Sequence, residues 1–365
     1  MPWHVVMLYL ALLCIGLSSI ARCDEWLDTD KVSQQGKWAV LSGILLILTT
    51  LPSYRIFCRW SYLLFALALT LLLLVFLNPS TNGAHRWIRL GSISMQPSEF
   101  VKLAYILALA RYLIYRNNYR RLTGLIIPFI LTLIPTALIL KEPDLGTALI
   151  FLPVLFTMMF AAGAKLRHLA IIGVAILMVC PIAWPHLNIE QRSRITSWAN
   201  QVDGGDQPRN HGYQLHQSKM MLSMGGLWGS WWTGNSTDDP KAYRLPEART
   251  DFIFSVIGER WGVIGASSTL LLFIILIWSG LNIAITTQES FGRLIAVGIV
   301  TTLSTQVIIN TGMTVGLVPI TGLTLPLVSY GGSSLVASGI AVGLLCSIRI
   351  RPGYEIVGEP FRFPR

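Results

Sequence analysis

Apolar stretches long enough to cross a bilayer recur along almost the whole chain, and no other feature restricts its fold so severely. They run from Val5 to Ile20, Trp38 to Leu51, Tyr62 to Leu77, Phe100 to Ile114, Leu125 to Leu140, Leu145 to Ala162 and Leu169 to Trp184. Three more lie at Phe252 to Trp278, Leu294 to Val315 and Leu327 to Ile348. Lipid offers the backbone no hydrogen-bonding partner, so each run must satisfy its own N–H and C=O groups, as a helix does. A barrel would need alternating strands, and these runs do not alternate. Since a crossing takes about 20 residues, the shorter runs imply tilt or snorkelling flanks. The expected fold is an all-α polytopic membrane protein with about ten transmembrane helices, one domain over residues 1–365.

Composition agrees. Charged residues make up 13% of the chain and hydrophobic ones 53%, whereas a soluble domain carries about 25% charged. The net charge of +10 is spread over small Lys/Arg clusters between apolar runs, which argues against a nucleic-acid partner. The five cysteines, Cys14, Cys23, Cys58, Cys180 and Cys346, have no metal-like spacing and read as small buried hydrophobes.

Topology explains the basic clusters better. Arg55 and Arg59, Arg116 with Arg120 and Arg121, Lys165 and Arg167, Arg293, and Arg349 with Arg351 fall on one side, which the positive-inside rule makes cytoplasmic. The other side receives the acidic segment around Asp24, the stretch from Asn78 to Gln96, the turn at Glu142 to Asp144, and one large loop over residues 186–250. A structureless loop of that length is usually functional. Met1 to Cys23 has a competing reading as a signal peptide, although its start lacks Lys and Arg.

Four polar constellations map to the expected outer side. Asn82 to Trp87, including Arg86, is followed by Gln96-Pro97-Ser98-Glu99 and Lys102. Glu99 and Lys102 are three apart on a helix and can pair, or Glu99 simply opposes the helix dipole. Lys141-Glu142-Pro143-Asp144 forms a tight turn whose charges must sit at the interface or line a cavity; Asp144 also suits a plain cap. Asp251 lies where the large loop dives into the membrane, beside Arg249. It is either a cap or the floor of a cleft, kept ionised by the nearby cation and helix N-terminus, ready to accept a proton or hold a divalent cation. Lastly, Pro319, Gly322 and Pro326 lead into Ser329-Tyr330-Gly331-Gly332, a broken helix suited to lining a cavity. Arg86, Arg89, Lys219, Arg244 and Arg249, as a set on one face, suggest an anionic ligand carried by the membrane.

The stretches Asn82-Gly83-Ala84 to Trp87, Gln96 to Ala104, Glu142 to Thr147, Gly212 to Lys219, Leu245 to Glu259 and Pro326 to Ser334 together closely resemble the SEDS family of RodA, FtsW and SpoVE. The resemblance spans nearly the whole chain. It implies a peptidoglycan glycosyltransferase that polymerises lipid II into glycan strands at the outer face of the cytoplasmic membrane, for elongation or division, beside a class B penicillin-binding transpeptidase. It places the family's essential aspartate at Asp251 and its supporting residues at Glu99, Lys102, Asp144 and Lys219. A divalent cation, magnesium or manganese, would share the task of offsetting diphosphate charge with the basic residues. Two departures bear on the fine mechanism: Arg249 stands where the family commonly has His, and Arg260 follows Glu259 where a second acid is common. Gly212 to Lys219 leans towards RodA, and Leu245 to Ala248 towards FtsW.

Two other functions fit a polytopic chain: a flippase for a lipid-linked precursor, and a non-catalytic scaffold for a transpeptidase. A transporter favours ionisable residues at mid-membrane, whereas these helix centres are almost free of charge.

Overall fold

The computed structural model describes residues 2–27, 29–77, 86–90, 93–116, 122–186, 188–201, 211–234 and 245–353. Ten long helices dominate these residues: α1 (Trp3–Leu27), α2 (Lys31–Thr50), α3 (Arg55–Val75), α4 (Pro97–Tyr115), α5 (Ile126–Lys141), α6 (Leu145–Ala162), α7 (Leu166–Ala183), α11 (Ile253–Thr286), α12 (Ser290–Val315) and α13 (Gly332–Ile350). Six of them, α1, α3, α6, α11, α12 and α13, have both the length and the apolarity to span, and α5 and part of α7 are shorter apolar helices. The chain is a multi-pass membrane protein. Because successive helices alternate in direction, the ends of α1, α3, α5, α7 and α12 meet the starts of α2, α4, α6, α11 and α13 at one end of the bundle.

Sequence runs and helices agree in order and coincide for α6, while α1, α2, α3 and α11 each extend well past the apolar run at one end. Two expectations need correction. Residues 186–250 are not structureless: they contain α8 (Ile189–Ala199), α9 (His211–Gly225) and the short α10 (Ser230–Thr233). A two-stranded hairpin, β1 (Ile88–Leu90) with β2 (Ile93–Met95), pairing Ile88 with Met95, precedes α4. Cys14 is exposed on α1 rather than buried. Asn82, Arg120, Arg121 and Arg244 lie outside the described residues.

α1 packs as an integral helix, with Val5, Tyr9, Leu12 and Ile20 in the core. Its end is tied to α11 by Arg22–Glu259 (3.5 Å) and by Arg260 donating to Ser18 O (2.6 Å). At the opposite end, arginines tie helices together. Arg351 donates to Thr50 O and Leu51 O at the end of α2, carbonyls that a helix end leaves bare, and Arg111 of α4 donates to Cys58 O and Arg59 O in the first turns of α3.

α11 would be about 51 Å long if continuous at 1.5 Å per residue, well beyond a bilayer core. It breaks at Gly262, whose φ of 66° and ψ of −164° are non-helical. The break frees backbone donors, and the turn after α9 takes them: Val263 N donates to Gly226 O (2.9 Å) and Ile264 N to Leu227 O (3.4 Å). A Cβ at Gly262 would lie 2.3 Å from Leu227 O, so only glycine permits the contact.

Candidate active site

α12 carries a buried polar seam through an otherwise apolar core: Thr302, Gln306, Asn310 and Thr314, each four residues from the last and at most 6% exposed. Both principal carboxylate sites attach to it. At its lower part, the buried pair Glu99–Lys102 (2.9 Å) shares a small cavity, about 20 Å³, with Thr302, Gln306 and Ser338. At its upper part, Asn310 Nδ2 donates to Asp251 O (2.8 Å) and Leu323 O (2.7 Å). Thus one side chain joins the segment before α11 to the segment between α12 and α13.

Asp251 is not a cap. The N-cap of α11 is Phe252, with no side-chain cap bond. Its backbone belongs instead to a tight turn in which Thr250 N, Asp251 N and Phe252 N all approach Glu247 O, and Glu247 itself has φ 55°. Ser329 braces this turn: Ser329 Oγ donates to Thr250 O (2.5 Å) and accepts from Leu325 N (2.8 Å), while Tyr330 N donates to Arg249 O (2.8 Å). Gln35 of α2 in turn donates to Ser329 O (3.2 Å). The serine and glycine-rich segment expected to line a cavity therefore holds the backbone of the aspartate.

The electrostatics differ from expectation. Burial, reinforced by Glu247, pushes the Asp251 carboxyl up to about 7; Arg194 and, more weakly, Arg86 oppose the rise. Arg249 is not the balancing cation. Its side chain turns to α1 and the turn beyond it, 3.6 Å from Asp24 and donating to Thr29 Oγ1 (2.7 Å). Asp24 is fixed to receive it by Lys31 N and Val32 N.

Arg194, which sequence reasoning missed, is delivered by α8. One turn further along the same face, Trp198 Nε1 donates to Gly316 O (3.1 Å), the C-cap of α12, as does Gln201 Nε2 (3.0 Å). Lys219, expected as an anion ligand, donates to Gln201 Oε1 (2.6 Å) and so secures this dock. A methyl group at Gly322 would lie 3.4 Å from Asp251 Oδ2 and 3.6 Å from Arg194 Nη1, so the glycine leaves the space both groups face.

The remaining residues form the α5–α6 corner. Asp144 is a true cap, accepting from Thr147 N (3.1 Å) and Thr147 Oγ1 (2.9 Å), with Gln96 Nε2 at 3.4 Å. Arg86 Nε donates to Glu142 O (3.0 Å) and its Nη2 to Pro143 O. Glu142 is fully buried, neither carboxyl oxygen has a hydrogen-bond partner among the described residues, and burial with the Asp144 charge pushes it up to about 8. Among the described residues no three His, Cys, Asp or Glu side chains converge. A magnesium ion held by one or two carboxylates and substrate phosphates needs no such cluster.

Fold and site define a polytopic membrane protein with a half-buried carboxylate and a guanidinium facing one cleft at one end of its bundle. The chain belongs to the FtsW, RodA and SpoVE family, whose model, described as cell cycle protein, matches residues 1–352. It is 35% identical to stage V sporulation protein E of Bacillus subtilis (strain 168), over 94% of this chain and 95% of that protein. With the peptidoglycan glycosyltransferase MrdB of Escherichia coli (strain K12) identity is 37%, over 86% of this chain and 84% of that one. Among solved structures, a chain from a study of how a peptidoglycan synthase complex coordinates polymerization and crosslinking superposes with a TM-score of 0.84. It shares 31% identity and covers 97% of this chain and 98% of its own.

Proposed function

We propose that this chain is a peptidoglycan glycosyltransferase that polymerises lipid II into glycan strands, with Asp251 as its general base. The observation that carries the reading is the placing of Asp251: a non-capping carboxylate held by Asn310 and Ser329 through the backbone, in a space shared with Arg194.

The chemistry is a substitution at the anomeric carbon of a polyprenyl-diphosphate-linked sugar. Asp251 takes the proton of the acceptor sugar hydroxyl as the new C–O bond forms, and the bond from the anomeric carbon to the diphosphate oxygen breaks with inversion. The diphosphate leaves with the electron pair. Arg194 and Arg86, the two cations that act on Asp251, offset the charge that develops there. A carboxyl near neutrality suits a base that must gain and lose a proton at each addition.

Since the cation-rich end is cytoplasmic by the positive-inside rule, Asp251 faces the outside of the cytoplasmic membrane, and residues 186–250 form an extracytoplasmic loop over it. The partner expected there is a class B penicillin-binding transpeptidase. The test is lipid II polymerisation by the purified protein with its partner in proteoliposomes: glycan chains from the wild type and none from Asp251→Ala support the reading. Transbilayer movement of lipid II without chains would make the protein a flippase, and neither activity would leave a scaffold.

A further inference from the structure

At the opposite end of the bundle from Asp251, a cavity of about 530 Å³ opens between the end of α6, the end of α11 and the start of α12. Its size falls within the range of small-molecule sites, about 300–1,000 Å³, and none of its lining residues takes part in the site described above. Leu281, Ala284, Ile285 and Val297 give it apolar walls, while Ser290 and Arg293 stand where α12 begins. Leu281 and Ile285 are also exposed on the lipid-facing surface of α11, so the cavity is continuous with the surroundings of the bundle.

Three observations restrict what can fill it. The apolar walls favour an occupant with hydrocarbon to bury, and Gln288, Ser290 and Arg293 favour one that also carries a polar head. An uncharged hydrocarbon would ignore the guanidinium at the rim. Among the described residues the rim is basic: Arg293 lines it, Lys165 follows directly on Gly163 and Ala164 at the end of α6, and Glu289 binds Arg55 (2.9 Å) and Tyr54. An amphiphile with an anionic head and an acyl chain satisfies walls and rim together, and basic pockets between transmembrane helices bind such headgroups.

We infer that the cavity between α6, α11 and α12 is a binding site for an anionic glycerophospholipid, its acyl chain in the crevice and its phosphate on Arg293. The inference depends neither on the glycosyltransferase reading nor on which leaflet this end faces.

The test is native mass spectrometry of the full-length protein, extracted from bilayers of mixed phosphatidylcholine and phosphatidylglycerol. The wild type should retain phosphatidylglycerol in preference to phosphatidylcholine. Arg293→Gln should lower that retention about fivefold, the worth of roughly one interfacial cation. Arg293→Lys, which keeps the charge, should retain the lipid, as should Arg167→Gln, an exposed cation outside the cavity. Val297→Phe, which fills the crevice and spares the charge, should lose it. Equal retention of both lipids by the wild type, undiminished retention in Arg293→Gln, or loss in Arg293→Lys overturns the proposal. So does a polyprenyl monophosphate that displaces phosphatidylglycerol at equimolar dose, because the occupant would then be the isoprenoid.

Discussion

Asn310 donates one amide group to two carbonyls, those of Asp251 and Leu323, and so sets the distance between the carboxylate and the segment bearing Gly322. Both N–H groups of a buried amide spent on backbone make a rigid joint, since neither can move without stranding the other. The predicted chemistry rests on that joint.

If Asp251 is the base, Asp251→Ala should lower the polymerisation rate at least about 100-fold while substrate binding changes little. The wild-type rate should rise with pH through about 7, the value to which burial pushes this carboxyl, because the carboxylate form does the work. Initial rates from about pH 5.5 to 8.5 check both points. A flat profile would remove Asp251 from the proton transfer.

Arg194 opposes the upward push on Asp251. Arg194→Ala should therefore move the acid limb of that profile to higher pH and also lower the plateau rate, by about 100-fold if leaving-group charge is stabilised there. Arg194→Lys should restore the position of the limb more than the rate, since a point charge replaces the fork. A purely structural role would lower the rate without moving the limb.

The Glu99–Lys102 pair is buried at both ends, 5% and 4% exposed. Lys102→Met alone should destabilise the protein by about 3–5 kcal/mol, because it strands a buried charge. The double change Glu99→Leu with Lys102→Met should cost much less. Thermal unfolding in detergent measures the difference, and additive losses would mean that the pair is not coupled.

Burial, reinforced by Asp144 and opposed by Arg86, pushes the Glu142 carboxyl up to about 8. Below about pH 4 both the folded and unfolded states hold its proton; from there to about pH 8 only the folded state does, so stability falls by up to about 1.4 kcal/mol for each unit gained. Glu142→Gln abolishes that slope. Its melting temperature should exceed that of the wild type at about pH 8.5, with the gap closing at about pH 5.

How much of this was legible in the sequence follows from the range of each interaction. Helix positions depend on local apolarity and were readable to within a few residues over most of the bundle, as at α6. Glu99–Lys102 and the Asp144 cap are contacts within one or two turns, and spacing shows them. Arg249 and Lys219 were identifiable as cations but not as to partner, because Asp24 and Gln201 lie far away in the chain or across another segment. Arg194 gave no local signal at all: its meaning comes from Trp198 and Gln201 gripping Gly316, more than a hundred residues later. The seam on α12 was visible in principle, as polar residues four apart inside an apolar helix.

The break at Gly262 has a consequence for synthesis. The half of α11 after it, Val263–Thr286, is about 36 Å long at 1.5 Å per residue and crosses the bilayer unaided. Its first amides, however, are received by Gly226 and Leu227, which leave the ribosome earlier. The segment that receives this helix is thus made first, so the landing stage is available when the span that moors to it emerges. A loop transplanted from a relative would satisfy these amides only if it kept that stage in register.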